Sequence, residues 1–456
     1  MDYFLVEGGH KLSGQIRIPG AKNAALPMLC GALLTEEVCV FRDVPEISDI
    51  ARLLEIFEEM GVQVVRDLAA KTVEIQARNI DLKALAASTN VKKFRASILI
   101  LGPLLARCGE CSLQVPGGCV LGARSLAVHF NGLRELGAEI KEFEDHIEAT
   151  FNRSDFASDR VLLPEASVTG TENLALFLAG NNQTAELFFT AAEPHVCGVL
   201  EMLGQMGAKV QGIGTHHLQI TGNKKLTGGE FVIPPDGILV GTYAIAGILA
   251  GEELEIQNVN HVELLSFYGA LKKTGAKFQM EDNVLRVFGT EKLQAVSKIQ
   301  TAIYPGFTSD LQSPMGLLLT QCEGESMIFE TLYEGRFTYL SELEKMGAKI
   351  ELLNAHQARV FGKADLKGTE VQSWDLRAGA AMVLAGLIAE GQTKVTNIDY
   401  IDRGYEHFEQ NLTALGAKIT RVEEALLERQ HGGLSPNTAD ERVSDPHSQS
   451  ACKSAL

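Results

Sequence analysis

EEMGVQVVRD at 58–67, RELGAEIKEF at 134–143, GQMGAKVQGI at 204–213, KKTGAKFQME at 272–281, EKMGAKIELL at 344–353 and TALGAKITRV at 413–422 are six copies of one punctuation. In each, a helix-like stretch closes on a glycine and a strand-like alternation begins. The glycines are Gly61, Gly137, Gly207, Gly275, Gly347 and Gly416, separated by 76, 70, 68, 72 and 69 residues. A glycine tolerates the positive φ that stops a helix and reverses the chain. Helix, turn, strand is therefore predicted six times at a period of about 70 residues.

A second helix precedes the punctuation in each repeat and runs through a polar turn into a strand, as in LAGEELEIQNV, LTQCEGESMIFETL and LIAEGQTKVTNI. These helices are rich in Ala, Leu and Gly on all sides, which suits the inside of a domain rather than its surface. Each unit thus has one buried helix, one amphipathic helix and several strands. Six units, three to a domain, fill residues 1 to about 422 at the usual domain size. From Glu423 the pattern ends, and the polar, turn-rich residues 423–456 are expected to form a disordered tail.

Composition limits the function classes. A 456-residue chain with 45% hydrophobic residues can bury a large core and exceeds one compact domain. A formal charge of −17 without a Lys/Arg run argues against nucleic-acid and anionic-membrane partners. An anionic ligand must then be caught by a local positive site. MDYFLVEGGHKLSG has no basic start or apolar signal core, and the longest apolar run, Ala378 to Ala389, is too short to span a bilayer. A soluble, cytoplasmic protein, mature from residue 1, is expected. The glycine-rich GGHKLSG is expected to be a hairpin turn. The eight cysteines are scattered, which suggests reduced thiols. Cys108 and Cys111 form one CxxC without a second pair, so buried thiols are favoured over zinc. No GxxxxGK[ST], GxGxxG after a first strand, HExxH or GxSxG occurs.

The six buried helices open on polar or charged residues: Lys22–Asn23, Arg95, Thr171-Glu172-Asn173, Asp236, Asp310, and Asp375 with Arg377. The first members are spaced 73, 76, 65, 74 and 65 residues apart, so they recur with the repeat. Helix N-termini that converge make a natural anion site. Thr171, Asp236, Asp310 and Asp375 could serve simply as N-caps. Capping does not account for Lys22, Arg95 or Arg377, because a cation at a helix start opposes the dipole. Those three ask for a ligand or a carboxylate partner. The other candidate places are the loops VPGGCVLGAR, TLYEGRF and IDRGYE, which follow the strand after a buried helix. In the first, Cys119 follows Gly117 and Gly118, with Arg124 five residues on. A nearby cation would lower the thiol pKa and make Cys119 reactive, whereas an inert core cysteine is the plainer reading.

PGAKNAALP, FRASILILGPLLAR, PGGCVLGAR, FTSDLQ, SWDLRAGAAMVLAGLIAEG and IDRGYEHFEQNLTALGAKI together, in order from residue 1 to about 422, resemble the UDP-N-acetylglucosamine 1-carboxyvinyltransferase family of enolpyruvyl transferases. The resemblance implies an α/β fold of two inside-out α/β barrel domains built from six similar repeat units. It divides the chain into 22–232, which carries the Cys loop, and 1–21 plus 233–422. The implied reaction moves the enolpyruvyl group of phosphoenolpyruvate to the sugar 3-hydroxyl of UDP-N-acetylglucosamine and releases phosphate, the first committed step of peptidoglycan precursor synthesis. Both substrates are the implied partners, and no metal or organic cofactor is implied.

By the same resemblance Lys22, Arg124 and Arg403 match the residues for the phosphate and carboxylate of phosphoenolpyruvate, with Arg95 and Arg377 in support. Cys119 matches the loop thiol that acts as acid, and Asp310 a candidate general base. Asn23, Asp310 and the backbone near Leu332 match sugar contacts. Arg124, Ser125, Leu126, Ala127, Ser167, Val168 and Thr169 match the uridine-facing segments, and Arg95 is counted with the UDP-sugar contacts. The chain departs from the family pattern at Ser125, at SVTGTEN, at EPHVCG and at PDGILVGT. These changes touch the acceptor side, so an enolpyruvyl transferase for another uridine nucleotide or for shikimate 3-phosphate, and a non-catalytic UDP-sugar-binding paralogue, stay open.

Overall fold

All six punctuating glycines reverse the chain at positive φ, from 77° at Gly275 to 110° at Gly416. At Gly137 space adds to conformation, because a Cβ there would lie 2.0 Å from the Asp155 carbonyl oxygen. The structure, a computed structural model, describes residues 2–117 and 126–423. Cys119, Arg124, Ser125 and the expected tail from 424 onward lie outside the described residues.

The two kinds of helix differ as their sequences predict. Ser48–Glu59 buries Ile50, Leu53, Leu54, Ile56 and Phe57 along one face and leaves the other to solvent. Val168–Ala179, Gly237–Ala250 and Leu376–Ile388 are buried almost all round. Burial stabilises by roughly 1.5–3 kcal/mol for each large apolar side chain enclosed. Such helices sit innermost. Lys22–Gly31, Leu101–Cys108 and Val168–Ala179 gather in one core, while Gly237–Ala250, Gln312–Thr320 and Leu376–Ile388 pack on one another in the other.

Sheets of three to five strands lie around these helices. Repeated units join parallel strands through the buried helix: Arg160–Leu162 pairs with Thr184–Phe188 across Val168–Ala179, and Glu370–Gln372 with Gln392–Thr396 across Leu376–Ile388. A right-handed crossover through a helix is the ordinary way to place strands in parallel.

One hydrophobic core runs from Ala21 to Ile233, and the other takes Phe4 to Ile18 together with Leu239 to Ile419. The N-terminus belongs to the second core through pairing. Tyr3–Glu7 lies antiparallel between Gln392–Thr396 and Lys418–Val422, and Leu12–Arg17 pairs in parallel with Gly251–Gln257. GGHKLSG therefore connects two sheets and is not the hairpin turn that its glycines suggest. The two passages between cores run side by side: Ala21 N donates to Pro234 O at 2.7 Å and Asp236 N to Pro19 O at 3.1 Å. Among the described residues no helix is long and apolar enough to cross a membrane, and the cysteines described are free, Cys111 buried as expected but Cys108 exposed.

Candidate active site

Lys22 begins its helix behind Ala21, which offers no side-chain cap, so the ammonium stands at the positive end of the helix with nothing local to balance it. Its partner is Asp49 of the next helix: Nζ lies 2.7 Å from Oδ2. Arg403, from the other core, donates to the same carboxylate from Nε at 3.1 Å and from Nη2 at 3.4 Å. Arg52 adds a contact at 3.4 Å. Burial would raise the Asp49 carboxyl, but Lys22 and Arg403 outweigh it and hold it below the usual carboxylate range. Lys22 is treated less well, since burial pushes its ammonium down and Asp49 only partly restores it against the nearby Arg403 and Arg377. Asp49 has three cations; Lys22 has one carboxylate and two cationic neighbours.

A second node lies in the other core. Asp310 accepts from Arg377 Nε at 3.2 Å and pairs closely with Nη2 of Arg336. Arg336 Nε donates to Ser309 Oγ at 3.1 Å, Ser309 Oγ donates to Glu330 Oε2 at 2.8 Å, and Glu330 Oε1 accepts from Thr301 Oγ1 and from the backbone N–H groups of Leu332 and Tyr333. Glu330 is fully buried and thus ties the Leu332 backbone to the segment bearing Asp310. Arg377 is also buried, lies over the Tyr405 ring at 5.4 Å, and its Nη1 has no hydrogen-bond partner among the described residues. Burial alone would lower the Arg377 pKa; Tyr405 and Asp310 reverse this and raise it.

The capping expectation divides. Asp236 caps through Ile238 N and Leu239 N, and Asp375 through Arg377 N and Ala378 N. Thr171 does not cap, because its helix starts earlier, at Ser167, whose Oγ accepts from Gly170 N. Asp310 does not cap either: Thr308 caps that turn, and the Asp310 carboxylate is committed to arginines. Arg95 opens a 3-10 turn, Arg95–Ile100, that leads into the helix Leu101–Cys108. The cations Lys22 and Arg377 do have carboxylate partners.

The segments expected at the uridine also meet. Leu126 and Ala127 start one helix and Ser167, Val168 and Thr169 another. A Cβ on Gly170 would come within 2.8 Å of Val128, so the two helix starts abut. His129 links them, with Nε2 3.2 Å from Thr169 Oγ1 and Nδ1 3.0 Å from Asn173 Nδ2. Burial, helped by Arg95, pushes His129 down to about 3, so the ring is neutral at pH 7. Asn23 stands one residue into the Lys22 helix.

Sequence reasoning missed Asp49, Arg336, Glu330, His129 and His195. Arg336 stood within TLYEGRF, and Asp49 is the second residue of the amphipathic helix Ser48–Glu59, where a first-turn acid suits the helix dipole and so gave no signal of its own. His195 sits at the start of Pro194–Gln205; burial lowers its pKa to about 4, partly opposed by Asp310 of the other core, and its Nε2 has no hydrogen-bond partner among the described residues.

Residues 6–412 match the model of the family EPSP synthase (3-phosphoshikimate 1-carboxyvinyltransferase). A UDP-N-acetylglucosamine 1-carboxyvinyltransferase of Koribacter versatilis is 40% identical over 426 residues, 93% of this chain and 97% of that protein. One from Gluconacetobacter diazotrophicus is 41% identical over 424 residues, 93% of this chain and all of that protein. Among solved structures, the enolpyruvyl transferase NikO from Streptomyces tendae superposes with a TM-score of 0.83 at 24% identity, over 92% of this chain and 99% of that one. An EPSP synthase from Acinetobacter baumannii gives 0.73 at 17% identity, over 93% and 100%. These two establish the two-domain enolpyruvyl transferase fold, in which the six repeats form a pair of inside-out barrels. By sequence, the chain belongs to the EPSP synthase family of enolpyruvyl transferases and, within it, to the UDP-N-acetylglucosamine 1-carboxyvinyltransferases.

Proposed function

We propose that this chain transfers the enolpyruvyl group of phosphoenolpyruvate to the 3-hydroxyl of UDP-N-acetylglucosamine, in the cytoplasm, as the first committed step of peptidoglycan precursor synthesis. The observation that carries the reading is the node at Asp49, where Lys22 of one core and Arg403 of the other converge on a single carboxylate. A trianionic substrate needs such a cluster. Lys22 and Arg403, with Arg377 close by, take its phosphate and carboxylate, and Arg124 and Arg95 complete the set by their place in the sequence. Asp49 orients the first two.

Chemistry follows by addition and elimination. The acceptor oxygen bonds to C2 while its proton passes to Asp310, and Cys119 gives a proton to C3. The C2–O bond to phosphate then breaks as C3 loses a proton, which restores the vinyl group. Arg336 and Arg377 hold Asp310 in place from both sides. Asn23 and the Leu332 backbone meet the sugar, and Leu126, Ala127 and Ser167 to Thr169 meet the uridine, with Ser125 between them and Arg124. In this reading, with the chain divided into 22–232 and 1–21 plus 233–422, these groups belong to the two walls of one cleft, whose closure excludes water.

Phosphate release measured with UDP-N-acetylglucosamine, without acceptor and with shikimate 3-phosphate tests the reading. Release with the UDP-sugar alone is expected; release only with shikimate 3-phosphate, or with no acceptor at all, would overturn it. His195, which stands at a departure from the family pattern and faces Asp310, favours one further arm with other UDP-sugars. The Cys119 role has its own measurement. Fosfomycin should form one adduct per chain, at Cys119, and peptide mapping that finds label spread over several of the eight cysteines would remove that residue from the chemistry.

A further inference from the structure

Beside the Asp49 node the two cores meet a second time. Glu46 precedes the helix Ser48–Glu59 in one core; Glu406 and His407 precede the helix Phe408–Ala414 in the other. His407 Nε2 lies 3.2 Å from Glu46 Oε2, and one ligand atom from each of the three residues lies within 4.8 Å of the other two. Glu406 is 7% exposed. The ammonium of Lys71 takes its Oε1 at 2.7 Å, but its Oε2 is buried with no hydrogen-bond partner among the described residues. Leaving a carboxylate oxygen buried and unsatisfied is costly, so the oxygen asks for a cation.

We propose that Glu46, Glu406 and His407 form a divalent-metal site of the Zn²⁺ class that joins the two cores. Zinc bonds of about 2.0 Å to nitrogen and oxygen at tetrahedral angles place neighbouring donors roughly 3.3 Å apart. The His407–Glu46 separation of 3.2 Å already has that length. Glu406 supplies the third donor through Oε2 while Lys71 keeps Oε1, and water fills the fourth position. A mixed imidazole and carboxylate set suits zinc better than magnesium, which prefers oxygen donors in an octahedron. The ion ties Glu46 to Glu406 and His407 across the cleft, so it favours the closed arrangement.

The test uses the full chain, stripped with chelator and titrated with Zn²⁺ alone by calorimetry, beside thermal unfolding with and without the ion. One Zn²⁺ per chain and a raised Tm are expected in the parent. Glu46→Gln and His407→Asn should each weaken binding at least about tenfold, the loss of one ligand among three, and abolish the Tm rise. Both positions are exposed, and Asn tolerates the φ of 47° at residue 407. Either variant therefore removes a donor without straining the backbone. No Zn²⁺ binding by the parent would overturn the proposal. So would binding of equal strength in both variants, which would place the ion at the thiols, with exposed Cys108 the first candidate.

Discussion

The two charged nodes of the cleft are built alike and held differently. At each, one carboxylate gathers more than one cation, Lys22, Arg403 and Arg52 at Asp49, Arg336 and Arg377 at Asp310. The Asp310 node lies within a single core and is fixed from behind by Ser309, Thr301 and buried Glu330. The Asp49 node spans two cores: Lys22 and Arg52 meet Asp49 within one core, and Arg403 reaches it from the other. Groups braced by one core are preorganised, which suits a base that must meet a hydroxyl in one geometry. Groups supplied by two cores come together on closure, which suits capture of a charged substrate that must enter and leave.

The largest effect should come from the braced node. Asp310→Asn keeps the shape and removes the proton acceptor, so turnover should fall by about 10²- to 10⁴-fold. Sequence alone suggests little cost to folding, because Asn caps as well as Asp. The structure revises this: Asp310 does not cap, and its loss leaves two buried arginines less compensated, so a stability loss of about 1–3 kcal/mol is expected in denaturant unfolding. Near-normal turnover would deny Asp310 the chemistry and make its node structural.

Asp49→Asn attacks the spanning node. Lys22 and Arg403 then repel without a full negative charge between them, and a charged hydrogen bond is worth about 1.5–3 kcal/mol. KM for phosphoenolpyruvate should rise roughly 10- to 100-fold, with kcat changed much less. A fall in kcat of equal size with KM unmoved would show that Asp49 acts on the reacting atoms rather than on assembly of the site.

Acid should separate the Asp49 node from the buried His129 that links the two uridine-facing helix starts. The His129 ring, pushed down to about 3, is neutral in the folded chain, whereas the unfolded ring takes a proton near pH 6.5. The unfolded state binds more protons in between, so stability should fall as pH drops from about 6.5 towards 3. Asp49, held below its ordinary value, contributes stability above about pH 4 that is lost as pH falls further. His129→Gln should flatten the upper part of an unfolding-versus-pH curve and Asp49→Asn only the lower part. An unchanged curve in both would refute this assignment.

The smallest effect is expected at Arg17–Asp43, which also joins a strand of one core to a turn of the other, at 2.9 Å, but with Arg17 half exposed. Arg17→Ala should change stability by no more than about 1 kcal/mol and leave KM within error. A large KM change there would mean that any contact between cores, buried or not, controls assembly.

The repeat was legible because it rests on local physics. Each unit needs a positive-φ glycine to end a helix, and an apolar helix to sit inside, and both requirements write themselves into consecutive residues. Lys22 and Arg377 were also visible, as cations where a helix start did not call for them, whereas Asp310 could be read as a plain cap and Arg403 was marked only by the resemblance. What those charges do could not be read this way. Asp49 and Arg403 are 354 positions apart in the chain and become partners at 3.1 Å only because two cores face each other. The same holds for Glu330, whose buried carboxylate is satisfied by Thr301, Ser309 and two backbone amides brought together by sheet and turn. GGHKLSG shows the limit from the other side: its glycines permit a hairpin, yet its flanking strands pair with different sheets. Local propensity determined each helix, strand and turn on its own, whereas partner choice among buried charges depended on tertiary packing, since a charge taken out of water must find its opposite wherever the fold brings one.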